Sequence, residues 1–474
     1  MTLGRPRHVE ADIGEGRAPG AAVFSLVQRL YADPVMARIF SEELTIQRWL
    51  EVERALAKSQ ASLGILAAED ARAIDEAAVP ANVDPVELWV ETRNVGYPIL
   101  PLIRMLVRRL PEQAGGRLHY GATTQDIMDT ALALQLREAL FRLEGLVSCL
   151  GAAVAVHVER HGTTVMAGRT HAQQAVPTTF GAVMATYLSE LARHRQRVEA
   201  CRSRACRVSA FGAGGTAAAY GPLARELRAR LAAGLGLDAV DVPWHTSRDG
   251  VAEFGSLCGL LAGTCGRLAQ EIIGLSRTEI GEVSEAIAHH RGASSTMPQK
   301  ANPVLSEAIV GMAATCGPLA GALFRSMESG HERAAGEWHI EWQVVPQVAV
   351  LAASALSLAI EAVDGLVVYP DQMAANLRVD GGALMAEAYM MQLAEEVGQT
   401  QAHDLVYAAV REARAAGCDL YTTLAKARAE VGEPPPRQIA PGDYVGEAEA
   451  ICATALEEWA AAQAPGMMGD SCHA

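Results

Sequence analysis

The chain has 474 residues, 50% hydrophobic and 5% aromatic, with 40 Lys and Arg against 55 Asp and Glu and a formal net charge of −15. That length leaves room for about three domains, and the acidic balance excludes nucleic acid as the main partner while leaving an anionic small molecule open, because local charge decides that. Nine cysteines, odd in number and without a C-x-x-C, read as reduced thiols of a cytoplasmic protein and not as a metal or disulfide framework.

Residues 1–20 are polar and charged, with no apolar stretch, and read as a frayed extension and not a signal peptide. Residues 41–63 form an amphipathic helix pattern, with Ile46, Leu50, Ala57 and Leu63 toward one face and Glu43, Arg48, Glu51 and Arg54 toward the other. A second helix follows Ala67. Pro85, Gly96, Pro98, Pro101 and Pro111 then break the chain into loops and short helices. From His119 the helices lengthen: 126–150, 178–200, 248–279, 303–324 and 345–363 all place apolar residues at helical spacing. The uncharged run 342–360 is long enough for a membrane, but Gln343, Pro346, Gln347 and its many Ala and Val residues favour a helix buried in protein. Five long helices with few charges imply a bundle buried on nearly every side, more than one subunit supplies, so a homo-oligomer is expected. After a break at 367–371 the charge density rises and the helices shorten, as in 383–397 and 402–415. The expected fold is all-α: an N-terminal helical domain (1–118), a central long-helix bundle (119–370) and a C-terminal helical domain (371–474). No membrane partner is expected.

One loop carries chemistry. Gly292-Ala293-Ser294-Ser295-Thr296-Met297-Pro298-Gln299-Lys300-Ala301-Asn302-Pro303 holds a candidate base and a candidate carboxylate clamp, Lys300 and Asn302, within ten residues. Two further segments stand out: His119-Tyr120-Gly121-Ala122-Thr123-Thr124-Gln125-Asp126, and Gly168-Arg169-Thr170-His171-Ala172-Gln173-Gln174. Together, in this order, the three segments resemble the signature regions of the fumarase/aspartase/argininosuccinate lyase superfamily, and the resemblance runs from about residue 31 to 424.

The resemblance implies an all-helical homotetramer whose sites are shared between chains, no cofactor and no metal. Its chemistry removes a proton beside a carboxylate and expels a group from the next carbon. The intermediate carries two negative charges on one carboxylate, so cationic and neutral donors must face it. By position, Ser294 matches the base, and His171 matches the acid that protonates the leaving group. Glu307 matches a glutamate that pairs with that histidine and favours its charged form. His119 is a substrate-positioning residue or a second acid. Thr123, Thr124, Gln125, Thr170, Arg248, Ser295, Met297, Lys300, Asn302 and Arg333 fall where superfamily members contact a small dicarboxylate substrate. The segment 289–293 reads as a lid.

Within the superfamily the stretches Pro243-Trp244-His245-Thr246 and His331-Glu332-Arg333 are most similar to 3-carboxy-cis,cis-muconate cycloisomerases. Those enzymes usually have tryptophan where His171 stands. Adenylosuccinate lyases are also similar, but their phosphate-holding Arg-Tyr corresponds here to Leu30-Tyr31, which argues against a nucleotide. A carbon–nitrogen lyase converting a substituted succinate to fumarate fits these differences, with nitrosuccinate the best match. A catalytically silent structural member is the remaining alternative, disfavoured by the intact Ser294, His171, Lys300 and Asn302.

Overall fold

The structure, a computed structural model, describes residues 30–286, 292, 296–297, 299–333 and 335–463. The fold is all-α, with two small two-stranded antiparallel sheets. Helix α1 spans Glu42–Ser62 and is capped by Ser41, whose hydroxyl accepts from the Leu44 N–H at 3.2 Å. The long helices are α2 (Thr124–His161), α3 (Phe180–Ala205), α4 (Asp249–Leu275), α5 (Val304–Ala322) and α6 (Trp338–Asp364). Between α2 and α3 the strands β1 (Val165–Thr170) and β2 (Gln173–Thr179) form a hairpin, and β3 (Val283–Ser284) pairs with β4 (Val367–Val368).

The expected helices are present with shifted ends. The one expected from residue 178 starts at Phe180, because Thr178 and Thr179 close β2 and the Thr179 hydroxyl accepts from the Ala182 N–H at 3.1 Å. Helix α6 starts at Trp338, seven residues before the expected start, and carries Pro346 inside it.

The chain separates into two compact units, each assembled from three stretches. The first comprises residues 1–141, 201–256 and 319–350, and the second 142–200, 257–318 and 351–474. The long helices therefore each contribute residues to both units. In the second unit, a core of Leu377, Tyr389, Leu393, Val406 and Leu420 packs with Ala167 of β1 and seats the hairpin on the C-terminal helices.

Three segments, Thr124–His161, Val304–Glu328 and Trp338–Asp364, are long and apolar enough to cross a membrane by length and composition. In α6, Val348, Ala349, Ala352, Ala353, Ala355 and Leu356 are all fully buried in protein, which accounts for its hydropathy. The thiols of Cys201, Cys206, Cys265 and Cys452 are buried.

Candidate functional site

The first unit presents the His119–Thr124 segment at the start of α2. Asp126, in the first turn, is 1% exposed and accepts five hydrogen bonds. They come from the backbone N–H of Thr123 (3.1 Å), Phe211 (3.0 Å) and Gly212 (2.8 Å), from the Ser209 hydroxyl (2.8 Å) and from His245 Nε2 (2.9 Å). The bond back to Thr123 is half of a capping box. Burial opposes the Asp126 charge, but these donors, His245 first, hold its carboxyl below the usual range. Ser209, His245 and Asp126 together look like a nucleophilic triad, but His245 Nε2 faces both partners, and all three are at most 3% exposed. They brace the turn and have no access to a substrate. Gly121 belongs to the same turn: at φ +76°, a Cβ there would lie 2.5 Å from the Tyr220 ring.

His119 has φ 62°, rare for a residue with a side chain. Its Nδ1 lies 2.6 Å from Oε1 of Glu53, whose side chain is fully buried in α1. Burial works against a charge on His119, but the Glu53 carboxylate outweighs it and raises the imidazole pKa above its ordinary value. Glu53 was not expected from the sequence. Its signal is a carboxylate in the apolar stripe Ile46, Leu50, Ala57 of α1, at positions four, three and four apart.

Arg333 and Thr123 come together: Arg333 Nη2 donates to the Thr123 hydroxyl at 2.8 Å. Arg333 pairs with no carboxylate among the described residues, and its Nε is buried without a partner. Thr124 opens α2 one residue further on.

Two residues expected to touch substrate are committed to the fold instead. Arg248 is 1% exposed, and all five of its N–H groups are used. They bond Glu341 Oε1 (2.7 Å) and Oε2, Asp129 Oδ2 (2.8 Å) and Oδ1 (3.1 Å), and the Trp244 carbonyl (3.3 Å). No donor remains for a ligand. Gln125 is fully buried and donates to the His245 carbonyl at 2.8 Å.

The second unit holds the other two motifs. His171 and Ala172 form the two-residue loop of the β1–β2 hairpin, with φ 49° and 61°. Both residues therefore adopt the left-handed conformation that such turns normally fill with Asn-Gly. Thr170 and His171 are exposed at the tip. Below them Arg169 grips the fully buried Glu282 with two bonds, 2.9 and 2.6 Å, and Asn376 donates to the same carboxylate at 2.7 Å. Glu282 immediately precedes β3, so this clamp ties the hairpin to the root of the signature loop.

The far end of that loop is fixed by Glu285, whose carboxylate accepts from the N–H groups of Leu305 (3.2 Å) and Ser306 (2.8 Å) at the start of α5. Asn302 closes the loop on Gly292, whose carbonyl accepts from its backbone N–H (2.9 Å) and side-chain amide (3.0 Å). Gly292 has φ 64°, and a Cβ there would lie 2.3 Å from the Asn302 oxygen. Lys300 and Met297 are exposed, and Lys300 makes no ion pair among the described residues. Glu307 is exposed in the first turn of α5, and no hydrogen bond or ion pair joins it to His171 within the chain. Ser294, Ser295 and most of the expected lid (289–291 and 293) lie outside the described residues. Among the described residues no His/Cys/Asp/Glu group has the arrangement of a metal site.

Residues 29–316 match a protein-family model described as lyase. The chain is 39% identical over 430 residues to a 3-carboxy-cis,cis-muconate cycloisomerase from Pseudomonas aeruginosa, covering 89% of this chain and 94% of that one. It is 34% identical over 384 residues to an N-acetyl-S-(2-succino)cysteine lyase from Dickeya dadantii, covering 81% and 84%. The crystal structure of 3-carboxy-cis,cis-muconate lactonizing enzyme from Pseudomonas putida matches with a TM-score of 0.87 at 35% identity, over 93% of this chain and all of that one. The chain belongs to the fumarase/aspartase/argininosuccinate lyase superfamily.

Proposed function

We propose that this superfamily member eliminates a group from a substituted succinate to release fumarate, with nitrosuccinate, which would lose nitrite, as the favoured substrate. The observation that carries the reading is Arg333: a half-buried guanidinium without a counter-ion, bonded to the Thr123 hydroxyl in the first motif. A buried cation of that kind calls for an anionic ligand, and its planar fork suits a carboxylate.

In this reading Arg333 and Thr123 hold one carboxylate, while Lys300, Asn302 and Thr124 face the carboxylate that becomes doubly negative. Asn302 leaves Gly292 to do so when substrate binds. Ser294 takes the proton from the carbon beside that carboxylate. The C–H pair becomes the new C=C bond, the bond to the leaving group breaks, and His171 protonates a departing group that needs it. Nitrite is a stable anion and needs little such help. Glu53 raises the pKa of His119, and in its protonated form this imidazole adds positive charge near the substrate.

Membership of a superfamily whose resemblance implies shared sites supports sites assembled from several chains. The segment Val304–Glu328 supports a homo-oligomer on other grounds: an 18-residue stretch of it has a mean hydropathy of 1.4 yet is only 28% buried within the chain, and Phe324 and Met327 are exposed. Such a surface needs cover. A His171–Glu307 pair then forms across chains.

Cycloisomerisation of 3-carboxy-cis,cis-muconate is the second reading, favoured by the 39% identity to the Pseudomonas aeruginosa enzyme. The test is fumarate release from nitrosuccinate, adenylosuccinate, argininosuccinate and aspartate, beside lactone formation from 3-carboxy-cis,cis-muconate, with Ser294→Ala as control. Fumarate lost in the variant supports elimination and names the leaving group. Lactone without fumarate replaces it with cycloisomerisation.

A further inference from the structure

Four of the six tryptophans of the chain, Trp49, Trp89, Trp338 and Trp342, line one cavity of about 400 Å³ in the first unit. That volume is within the usual range for small-molecule sites. The rings meet at steep angles: Trp338 and Trp342 at 73° with centroids 5.0 Å apart, Trp49 and Trp89 at 71° and 6.4 Å. Rings at right angles can both turn a face toward one central group, as aromatic cages do.

The charge lining the cavity has one sign. Glu42, Asp129 and Glu341 contribute to the wall, and no Lys, Arg or His does among the described residues. Asp129 and Glu341 share one guanidinium, that of Arg248, so the buried trio keeps a net charge of about −1 when both carboxyls are ionised. Burial accordingly pushes the Glu341 carboxyl up, against the pull of Arg248. One more positive charge beside this wall would relieve that excess.

From these features we infer that the cavity binds a small organic cation, a methylated ammonium. Such a ligand places its cation against ring faces, beside the exposed Glu42 and in the field of the buried Asp129 and Glu341, which a neutral molecule of the same shape cannot exploit. An anionic substrate is repelled by the same wall, so this site is separate from the one proposed for succinates and stands independently of that reading.

The test is titration of the intact protein with choline and with 3,3-dimethyl-1-butanol, its neutral isostere, followed by tryptophan fluorescence at fixed ionic strength set with KCl. Choline should give a saturable change, at least about tenfold tighter than the alcohol, a difference of about 1.4 kcal/mol that a cation–π contact supplies. Glu42→Gln, at an exposed position, should weaken choline severalfold with the fold intact by circular dichroism. Trp342→Leu should abolish the response. Equal affinity for choline and the alcohol would make this a merely apolar cavity. No saturable response to choline would overturn the proposal outright.

Discussion

Replacing Arg248 by methionine should destabilise the protein and not merely weaken substrate binding. The wild-type guanidinium makes five hydrogen bonds, four of them to Asp129 and Glu341, and all three side chains are 1% exposed. Methionine fills similar space but leaves two carboxylates facing each other out of water. Removing one partner of a buried ion pair costs about 3–5 kcal/mol, a large share of a stability margin of about 5–15 kcal/mol. Arg248→Lys keeps the charge but offers three donors for five acceptor contacts, and should cost about 1–3 kcal/mol through the bonds left unmade. The triple variant Arg248→Met, Asp129→Asn, Glu341→Gln removes all three charges and should recover much of the loss, since the desolvation penalty disappears with them. Urea unfolding monitored by circular dichroism ranks the variants, and KM measured on the folded fraction separates stability from binding. Wild-type stability in Arg248→Met together with a raised KM would refute this reasoning and return Arg248 to the substrate.

Glu53→Gln tests the histidine pair. His119 has a folded pKa raised above 6.5, so the stability it contributes is fully present below about pH 6.5 and fades as pH rises through the folded value. The variant should therefore lose most stability on the acid side, and an alkaline limb of kcat/KM due to His119 should move to lower pH. An unchanged limb would remove His119 from the reaction. Shared sites make a further prediction: Arg333→Ala and Ser294→Ala, each inactive alone, should regain measurable activity when unfolded together and refolded as mixed oligomers, whereas no recovery would argue for sites built from one chain.

The parts of this protein legible in its sequence are those whose physics is local. Helical periodicity gave α2 to α6, with ends wrong where an internal Pro346 was tolerated or where β-branched Thr178 and Thr179 extended a strand instead. The hairpin was missed because it lacks a standard turn sequence at His171-Ala172, and β2 carries Pro177. The signature loop was legible because Lys300 and Asn302 carry their chemistry on their own side chains. The polar partners were not. Asp129 and Glu341 lie 119 and 93 residues from Arg248, Glu53 lies 66 from His119, and Glu282 lies 113 from Arg169. Nothing in a linear pattern says which of many carboxylates will meet a given cation; the tertiary fold decides.

Backbone strain links these long-range pairs to the candidate site. Among the described residues six other than glycine have positive φ, and three are histidines in or beside the motifs: His119, His171 and His331. Each such position costs on the order of 1–3 kcal/mol and persists only where surrounding structure over-determines it. The over-determination is visible for two of them. Glu53 fixes the ring of His119, and the Arg169–Glu282–Asn376 clamp fixes the hairpin two residues below His171. Hairpin and helix packing alone would have been satisfied by Asn-Gly at 171–172 with no strain. A histidine held there at a cost, with an ion pair to the buried Glu282 bracing the strand below it, is what the proposed acid role of His171 would call for, since the fold alone does not require it.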